Sequence, residues 1–400
     1  MGFVAGLQCV VCGAPAEPPS SVGLCTACEE PDNVLEVCFD MDRVAGSMTP
    51  SALAERPRTH WRYRELLPVE PDDVAFSWPV GFTPILTTPR LASWVGSRRL
   101  RVKDEGHNPT SSFKDRASSV GVLHAMQAGA ARVACASTGN AASSLAGYAA
   151  MAGLPATIFV PERAPEPKLA QILLYGADVR RVHGTYTQAY ELCTRECEAN
   201  AWYNRNCAIN PYLVEGKKTC GLEIAEQTAG DVPDWVIVSV GDGCTIAGIV
   251  KGLLDMRRLG FIDRVPRVLG VQASGMDSIV SAFETGVPQP PSGATLADSI
   301  DVDVPRNWRK AVSRVRETSG TFVRVRDEEI TEAMMATGKL AGVFAEPAAA
   351  AAVAGARRAV LDGVIDEDAD VLAVLTGNGL KDIKTAMAIA GSPTDVDLSN

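Results

Sequence analysis

The chain has 400 residues, 46% of them hydrophobic, and a formal net charge of −10. That length and apolar fraction support two or three packed domains and exclude a disordered chain, while an acidic chain without a basic run gives phosphodiesters and anionic lipids no track to follow. Its apolar stretches, 348–354 among them, fall far short of the roughly 20 residues that span a bilayer.

Before the first cysteines there is too little chain for a secretory leader, so we expect a cytoplasmic protein with neither nucleic-acid nor membrane partners. Eleven cysteines, an odd number scattered along the chain, suit reduced thiols or metal ligands rather than a disulfide framework. Four of them make two knuckles, Cys9-Val10-Val11-Cys12 and, twelve residues on, Cys25-Thr26-Ala27-Cys28. Four thiolates so spaced can surround a zinc ion tetrahedrally. Residues 1–40 therefore read as a small zinc-ribbon-like head, with a relic that has lost its metal as the alternative, and Cys38 stands outside the pattern. A four-thiolate site has no open position, so Zn2+ held by Cys9, Cys12, Cys25 and Cys28 stabilises and does not catalyse.

Residues 41–79, mixed in Arg, Trp and Pro, read as an arm and linker. A new unit begins at Pro79, and 100–105 reads as a strand ending in charge. Beyond it, predicted helices at 115–127, 140–152, 167–175 and 186–200 alternate with short apolar strands at 132–136, 156–160 and 178–182. Helices at 215–229 and 246–259, strands at 235–240 and 267–272, and a late strand at 371–375 continue the pattern. Strands this short and apolar belong in buried parallel sheets. The pattern predicts a two-lobed α/β body over 80–400, with a smaller lobe at about 125–210 nested in the larger and a cleft between them.

Four segments concentrate the chemistry. The first, Asn108-Pro109-Thr110-Ser111-Ser112-Phe113-Lys114-Asp115-Arg116, puts one lysine at a helix start, where a desolvated amine loses its charge and becomes a nucleophile suited to a Schiff base. A surface lysine in a helix cap is the plain alternative. The second, Ala136-Ser137-Thr138-Gly139-Asn140-Ala141-Ala142, offers hydroxyls and free N–H groups that suit a carboxylate, and Asn140 can donate to an oxygen on an aromatic cofactor.

The third, Val240-Gly241-Asp242-Gly243-Cys244-Thr245, allows close backbone approach, and its helix dipole and Thr245 hydroxyl suit a phosphate. It lacks both the GK[ST] ending of a Walker loop and the third glycine of GxGxxG, so ATP hydrolysis is not implied and a dinucleotide is disfavoured. The fourth, Leu375-Thr376-Gly377-Asn378-Gly379-Leu380-Lys381-Asp382, places Thr376 to bond a ring nitrogen, leaving it less protonated than a carboxylate would. That suits elimination or replacement chemistry. Each of these turns alone reads equally as an ordinary cap; together with Lys114 they describe a holder for pyridoxal phosphate.

At these segments the chain resembles the threonine synthases, pyridoxal-phosphate enzymes of the tryptophan-synthase-β fold (fold type II), over nearly its whole length. The match includes the cysteine head, Lys103-Asp104-Glu105-Gly106, Asn210-Pro211-Tyr212 with Glu215-Gly216-Lys217-Lys218-Thr219, and Ala345-Glu346-Pro347. The resemblance implies a lyase that turns O-phospho-L-homoserine and water into L-threonine and phosphate, working as a homodimer on a small phosphorylated amino acid. It makes Lys114 the Schiff-base and proton-carrying residue, sets Phe113 beside the cofactor ring and pairs Asn140 with the pyridoxal 3′-oxygen. Gly241, Asp242, Gly243, Cys244 and Thr245 become the phosphate loop, Thr376 the partner of the ring nitrogen, and Ser137, Thr138 and Ala141 the lining of the substrate's carboxylate side.

Three positions depart from the family pattern. Ser111 and Cys244 stand where glycine is common, and Leu213 stands where an arginine often grips the substrate's phosphate. A guanidinium fork is bidentate and charge-assisted, and leucine supplies none of it. Lys103 and Arg116, with Arg205 and Arg163, are the candidate substitutes. The alternative reading is a related β- or γ-replacement or elimination on another activated amino acid, such as phosphoserine with sulfite giving cysteate.

Overall fold

Continuous apolar runs, and not alternating ones, make strands that are covered on both faces, and the body of this protein is built from them. The computed structural model describes residues 2–18, 22–29, 33–162 and 166–396, with backbone alone at 166–168; Arg163 lies outside the described residues. The head is an antiparallel sheet of β1 (Val4–Cys9), β2 (Pro15–Ala16) and β3 (Leu35–Phe39), with β1 in the middle.

The larger lobe uses β4 (Ile85–Thr87) and β5 (Arg99–Asp104). After it come the strands of the smaller lobe, β6 (Val133–Ala136), β7 (Ala156–Pro161), β8 (Asp178–Val182) and β9 (Tyr203–Asn204), all parallel in the order β8-β7-β6-β9. The chain then returns to the larger sheet with β10 (Trp235–Ser239), β11 (Arg267–Ala273), β12 (Thr321–Val325) and β13 (Asp370–Leu375). The order there is β12-β11-β10-β13-β5-β4, parallel except for the edge strand β4. The smaller sheet is thus inserted between two strands of the larger. This is the two-lobed α/β architecture that the alternation predicts.

Six helices carry or support the site: α1 (Lys114–Gln127), α2 (Asn140–Ala152), α3 (Tyr212–Gln227), α4 (Cys244–Arg258), α5 (Trp308–Glu317) and α6 (Pro347–Leu361). The start of α3 lies three residues ahead of the sequence reading, because the Asn210 side chain accepts the Tyr212 N–H at 3.1 Å and so begins the helix early. The start of α4 lies two residues ahead, because Gly243 at φ +88° turns the chain directly into it. The alanine run at 348–354 belongs to α6 and is buried all round. Small side chains let α6 approach the sheet so closely that a Cβ on Gly355 would stand 2.2 Å from Val271. Among the described residues no helix is long and apolar enough to cross a membrane.

The head is fastened by charge. Lys251 of α4 donates to the Val37 carbonyl at 2.6 Å and Lys310 of α5 to the Leu35 carbonyl at 2.7 Å, so ammonium groups cover the free edge of β3 where another strand would otherwise pair. Glu36 pairs with Arg314 at 2.6 Å. Burial pushes the Glu36 carboxyl up, but Lys251, Lys310 and Arg314 overcome that push and hold it down at about 2. Next to the cleft, Gly23 donates to the Ile209 carbonyl at 2.9 Å, and Tyr212 packs into the head's own apolar cluster.

Candidate active site

The head offers a metal centre. Cys9 and Cys28 place their sulfurs 3.8 Å apart, Cys12 and Cys25 3.6 Å apart, and all four sulfurs lie within 4.8 Å of one another. Four thiolates bound at zinc's usual distance on a tetrahedron stand about 3.8 Å apart. The N–H groups of Val11 and Ala27 point at Cys9 and Cys25 at 3.4 Å, as knuckle backbones do when they support a charged sulfur. The donor set therefore fits a structural zinc. Cys38 turns to Gln8 and takes no part.

In the cleft, the loops that follow β5 and β13 and the one that precedes α6 are stitched together by their backbones. Phe113 N–H donates to the Thr376 carbonyl at 2.8 Å, Asn378 N–H to Ser111 at 3.1 Å, and Glu346 N–H to Gly377 at 3.0 Å. Ser111 bends this loop with φ +66°, the left-handed conformation that glycine adopts freely.

Lys114 opens α1 and is half-buried. Burial lowers its ammonium's pKa; the cations Lys217 and Arg205 push the same way, against Cys207 and Glu346. The result is an amine disposed to be neutral and nucleophilic. Across the cleft, Asn140 donates to both oxygens of Glu346 at 3.0 and 2.9 Å and to Ser299 at 3.3 Å. Burial raises the Glu346 carboxyl despite that amide. A cavity of about 200 Å³ opens here, lined by Thr138, Asn140, Ser299, Glu346 and Lys381. Gly139 gives α2 no side-chain cap, so the first N–H groups of the helix face an incoming anion. Ser137 and Ala141 flank that entrance, both half-buried.

The third segment makes a tight turn. A Cβ on Gly243 would stand 3.0 Å from both Ala311 Cβ and the Asn307 carbonyl, and one on Gly241 would stand 3.0 Å from Ile300 Cα. Asp242 braces the turn by accepting the Arg306 N–H at 2.8 Å. Cys244 donates to Asp242 at 3.3 Å, and Thr245 is half-buried. The N-terminus of α4 has no side-chain cap. A nucleophilic amine, a donor amide and an uncapped glycine turn together fit pyridoxal phosphate.

Three expectations need correction. Lys103 and Arg116 do not face a substrate: both are fully buried beneath the cleft, Lys103 paired with Glu223 at 3.0 Å and Arg116 with Glu105 at 2.7 Å and Glu223 at 2.6 Å. Their charges are matched within the protein. Phe113 contributes its backbone and not its ring, which packs in the core with the Arg116 guanidinium 5.8 Å from its centroid.

Leu213 shows why the missing arginine is not replaced in place. It is fully buried, and a Cβ on Gly121 of α1 would touch its Cδ2 at 2.7 Å. Gly216, one turn on, meets α1 in the same way, against the Arg116 carbonyl. That face of α3 is spoken for by α1.

The neighbouring face carries Lys217, whose part the sequence reading passed over, and it meets Arg205, one of the candidate substitutes. Lys217 donates to Cys207 Sγ at 3.2 Å, and Arg205, just past β9, donates to it at 3.3 Å and to Ser118 at 3.1 and 3.2 Å. Both cations are 1% exposed, and neither pairs with a carboxylate among the described residues. The available signal was helical spacing: Leu213 and Gly216 share one face, while Val214 and Lys217 share the next.

Comparison with known proteins agrees with this geometry. The profile of the pyridoxal-phosphate dependent enzyme family matches residues 77–377. A threonine synthase of Methanosarcina acetivorans is 39% identical over 395 residues, covering 98% of this chain and 96% of its own. One of Methanocaldococcus jannaschii is 35% identical with the same coverage. Among solved structures, a threonine deaminase from T.th. superposes with a TM-score of 0.63 at 26% identity, covering 74% of this chain and 92% of that one. With the lysine, the donor amide and the glycine turn all converging on one cleft, the chain belongs to the threonine synthase family of pyridoxal-phosphate dependent enzymes.

Proposed function

We propose that this enzyme converts O-phospho-L-homoserine and water to L-threonine and phosphate. The observation that carries the reading is the pair Arg205 and Lys217: two buried cations without a carboxylate partner, beside the amine of Lys114. The nearby Asp242 carboxylate acts on Lys217 without a salt bridge to it, and a phosphate dianion on the substrate supplies the direct anionic partner that the buried pair lacks. Pyridoxal phosphate, when bound through Lys114, supplies an electron sink for the carbanion at Cα.

The chain's own residues do the rest. Lys114, disposed to be neutral, takes the Cα proton and returns protons along the substrate's carbon chain. The free N–H groups at the start of α2, with Ser137, Thr138 and Ala141, hold the substrate carboxylate, and Asn140 orients the cofactor through its 3′-oxygen. The Gly241–Thr245 turn takes the cofactor phosphate and Thr376 the ring nitrogen. Arg205 and Lys217 stabilise the departing phosphate and keep it near the carbon that water attacks. The reading includes a homodimer in the cytoplasm, with no nucleic-acid or membrane partner.

The test is a substrate panel: O-phospho-L-homoserine, phosphoserine with sulfite, and free threonine, with phosphate and amino-acid products measured together. We expect threonine and phosphate in equal amounts from the first alone. Replacing Arg205 or Lys217 by Met should raise KM for the phosphorylated substrate by roughly 10- to 100-fold, the worth of a charged hydrogen bond. Cysteate from phosphoserine, with no threonine from phosphohomoserine, would replace this reading by the related replacement reaction.

A further inference from the structure

Cys207 is a half-buried thiol held between two cationic donors, the Lys217 ammonium at 3.2 Å and the Arg205 guanidinium at 3.3 Å. It packs against Cys244, at the first position of α4, in a small cluster with Ala208 and Val214. Neither sulfur has a part in the proposed reaction. The remaining cysteines of the body differ in kind: Cys135, Cys193, Cys197 and Cys220 are buried in the core, with no cation donating to them among the described residues.

We propose that Cys207 and Cys244 are an oxidisable thiol pair, with Cys207 the sulfur that attacks peroxides and Cys244 the one that resolves the product. The cations that await a phosphate dianion also stabilise the Cys207 thiolate, which is the form of sulfur that reacts. The Cys244 thiol beside it, and the Lys217, Arg205 and Lys114 charges, hold the Cys207 thiol well below its ordinary range against the opposing push of burial. Cys244 moves in the opposite direction, raised first by its thiol neighbour and then by burial, so it keeps its proton.

Attack of the Cys207 thiolate on a peroxide breaks the O–O bond and gives a sulfenic acid and hydroxide. The Cys244 thiol then displaces that oxygen, forming the S–S bond and releasing water. Two electrons leave the sulfur pair and reduce the peroxide. The product ties the loop after β9 to the start of α4 and leaves Arg205 and Lys217 without their thiolate. A phosphate dianion competes with the Cys207 thiolate for the same two cations, so anion binding returns the proton to sulfur and shields it.

The holoenzyme tests this directly. It is treated with iodoacetamide and mapped by peptide mass, with and without inorganic phosphate, and a second sample is treated with hydrogen peroxide. We expect Cys207 to be alkylated at least tenfold faster than Cys135, Cys193 or Cys220, and phosphate to slow that labelling severalfold. Peroxide should yield a linked Cys207–Cys244 peptide, with loss of activity that dithiothreitol reverses. In Cys244→Ser, a dimedone adduct should accumulate on Cys207 in place of the linked peptide. The wild-type mapping stands whether or not that variant folds. Labelling of Cys207 no faster than that of the buried thiols, labelling indifferent to phosphate, or oxidation confined to the head cysteines would each overturn the proposal.

Discussion

The helices α1 and α3 carry two buried charge clusters, one closed and one open. In the first, Arg116 and Lys103 meet Glu105 and Glu223, two cations against two anions, all fully buried. Against the upward push of burial, Arg116 holds both carboxyls below their usual range, with Lys103 assisting. In the second, Lys114, Arg205 and Lys217 share the cleft with the thiols of Cys207 and Cys244 and no salt-bridged carboxylate among the described residues. A balanced cluster gains nothing from a ligand and suffers when a member is lost. An unbalanced one is unfavourable until an anion arrives, so it converts folding energy into affinity. Cations quoted in the same motifs of the sequence therefore divide into framework and site by the charge that surrounds each.

The largest effect should come from the open cluster. Lys114→Ala is expected to lower kcat by roughly 10³-fold or more and to abolish the cofactor's lysine-linked absorption band, with the fold intact by circular dichroism. Persistence of that band would move the covalent role to another amine. Next in size is the contrast between the clusters. Arg116→Met should destabilise by about 3–5 kcal/mol, because it strands two buried carboxylates. Lys217→Met should not destabilise the cofactor-free protein and should raise its stability by about 1 kcal/mol or more, since it removes a buried charge that had no salt-bridged carboxylate. Urea unfolding of both variants checks this, and the reverse ranking would exchange the two assignments.

Much of this was legible before any coordinates. The helix 140–152 and the strand 178–182 have the bounds that turn chemistry and apolar runs predict, and the four loops meet because each lies at the carboxyl end of a parallel strand. Burial and pairing were not legible. Lys103 sits in a motif with Asp104 and Glu105, but nothing local tells that Glu223, far along the chain, closes on it. Leu213 attracted attention through its place in a motif, although the helix turns that place toward Gly121. Cys207 drew none, since a thiol acquires its chemistry here from Arg205 and Lys217, and only α3 and β9 in register bring those two together.

Charge also fastens the head to the body, through Glu36 and the cations around it. Glu36 ionises at about 2 in the folded protein against an ordinary 4.5. An acid so depressed contributes its full stabilisation above the unfolded value and loses it as pH falls through the folded one, so the window lies between pH 4.5 and about 2. The contribution is of order 3 kcal/mol at neutral pH. Glu36→Gln should lower stability by that order at pH 6 and converge on the wild type as the medium is acidified, measured by urea midpoints along the series. A constant difference across the series would assign the loss to packing and not to charge.

The smallest effect concerns the loop that carries Lys114. Ser111 holds φ +66°, where an L side chain costs roughly 1–2 kcal/mol. Glycine removes that cost but gives the unfolded chain more freedom, worth roughly 0.5–1 kcal/mol in the other direction. Both bonds that fix the loop at this residue are backbone bonds, Ser111 N–H to Asn108 at 2.7 Å and Ser111 carbonyl from Asn378 at 3.1 Å, and glycine keeps both. Ser111→Gly should therefore raise stability by about 0.5 kcal/mol, while Ser111→Val should lower it, because a β-branched residue tolerates the left-handed region least. A loss in the glycine variant would show that the serine hydroxyl, and not the turn, secures the lysine loop against the last strand.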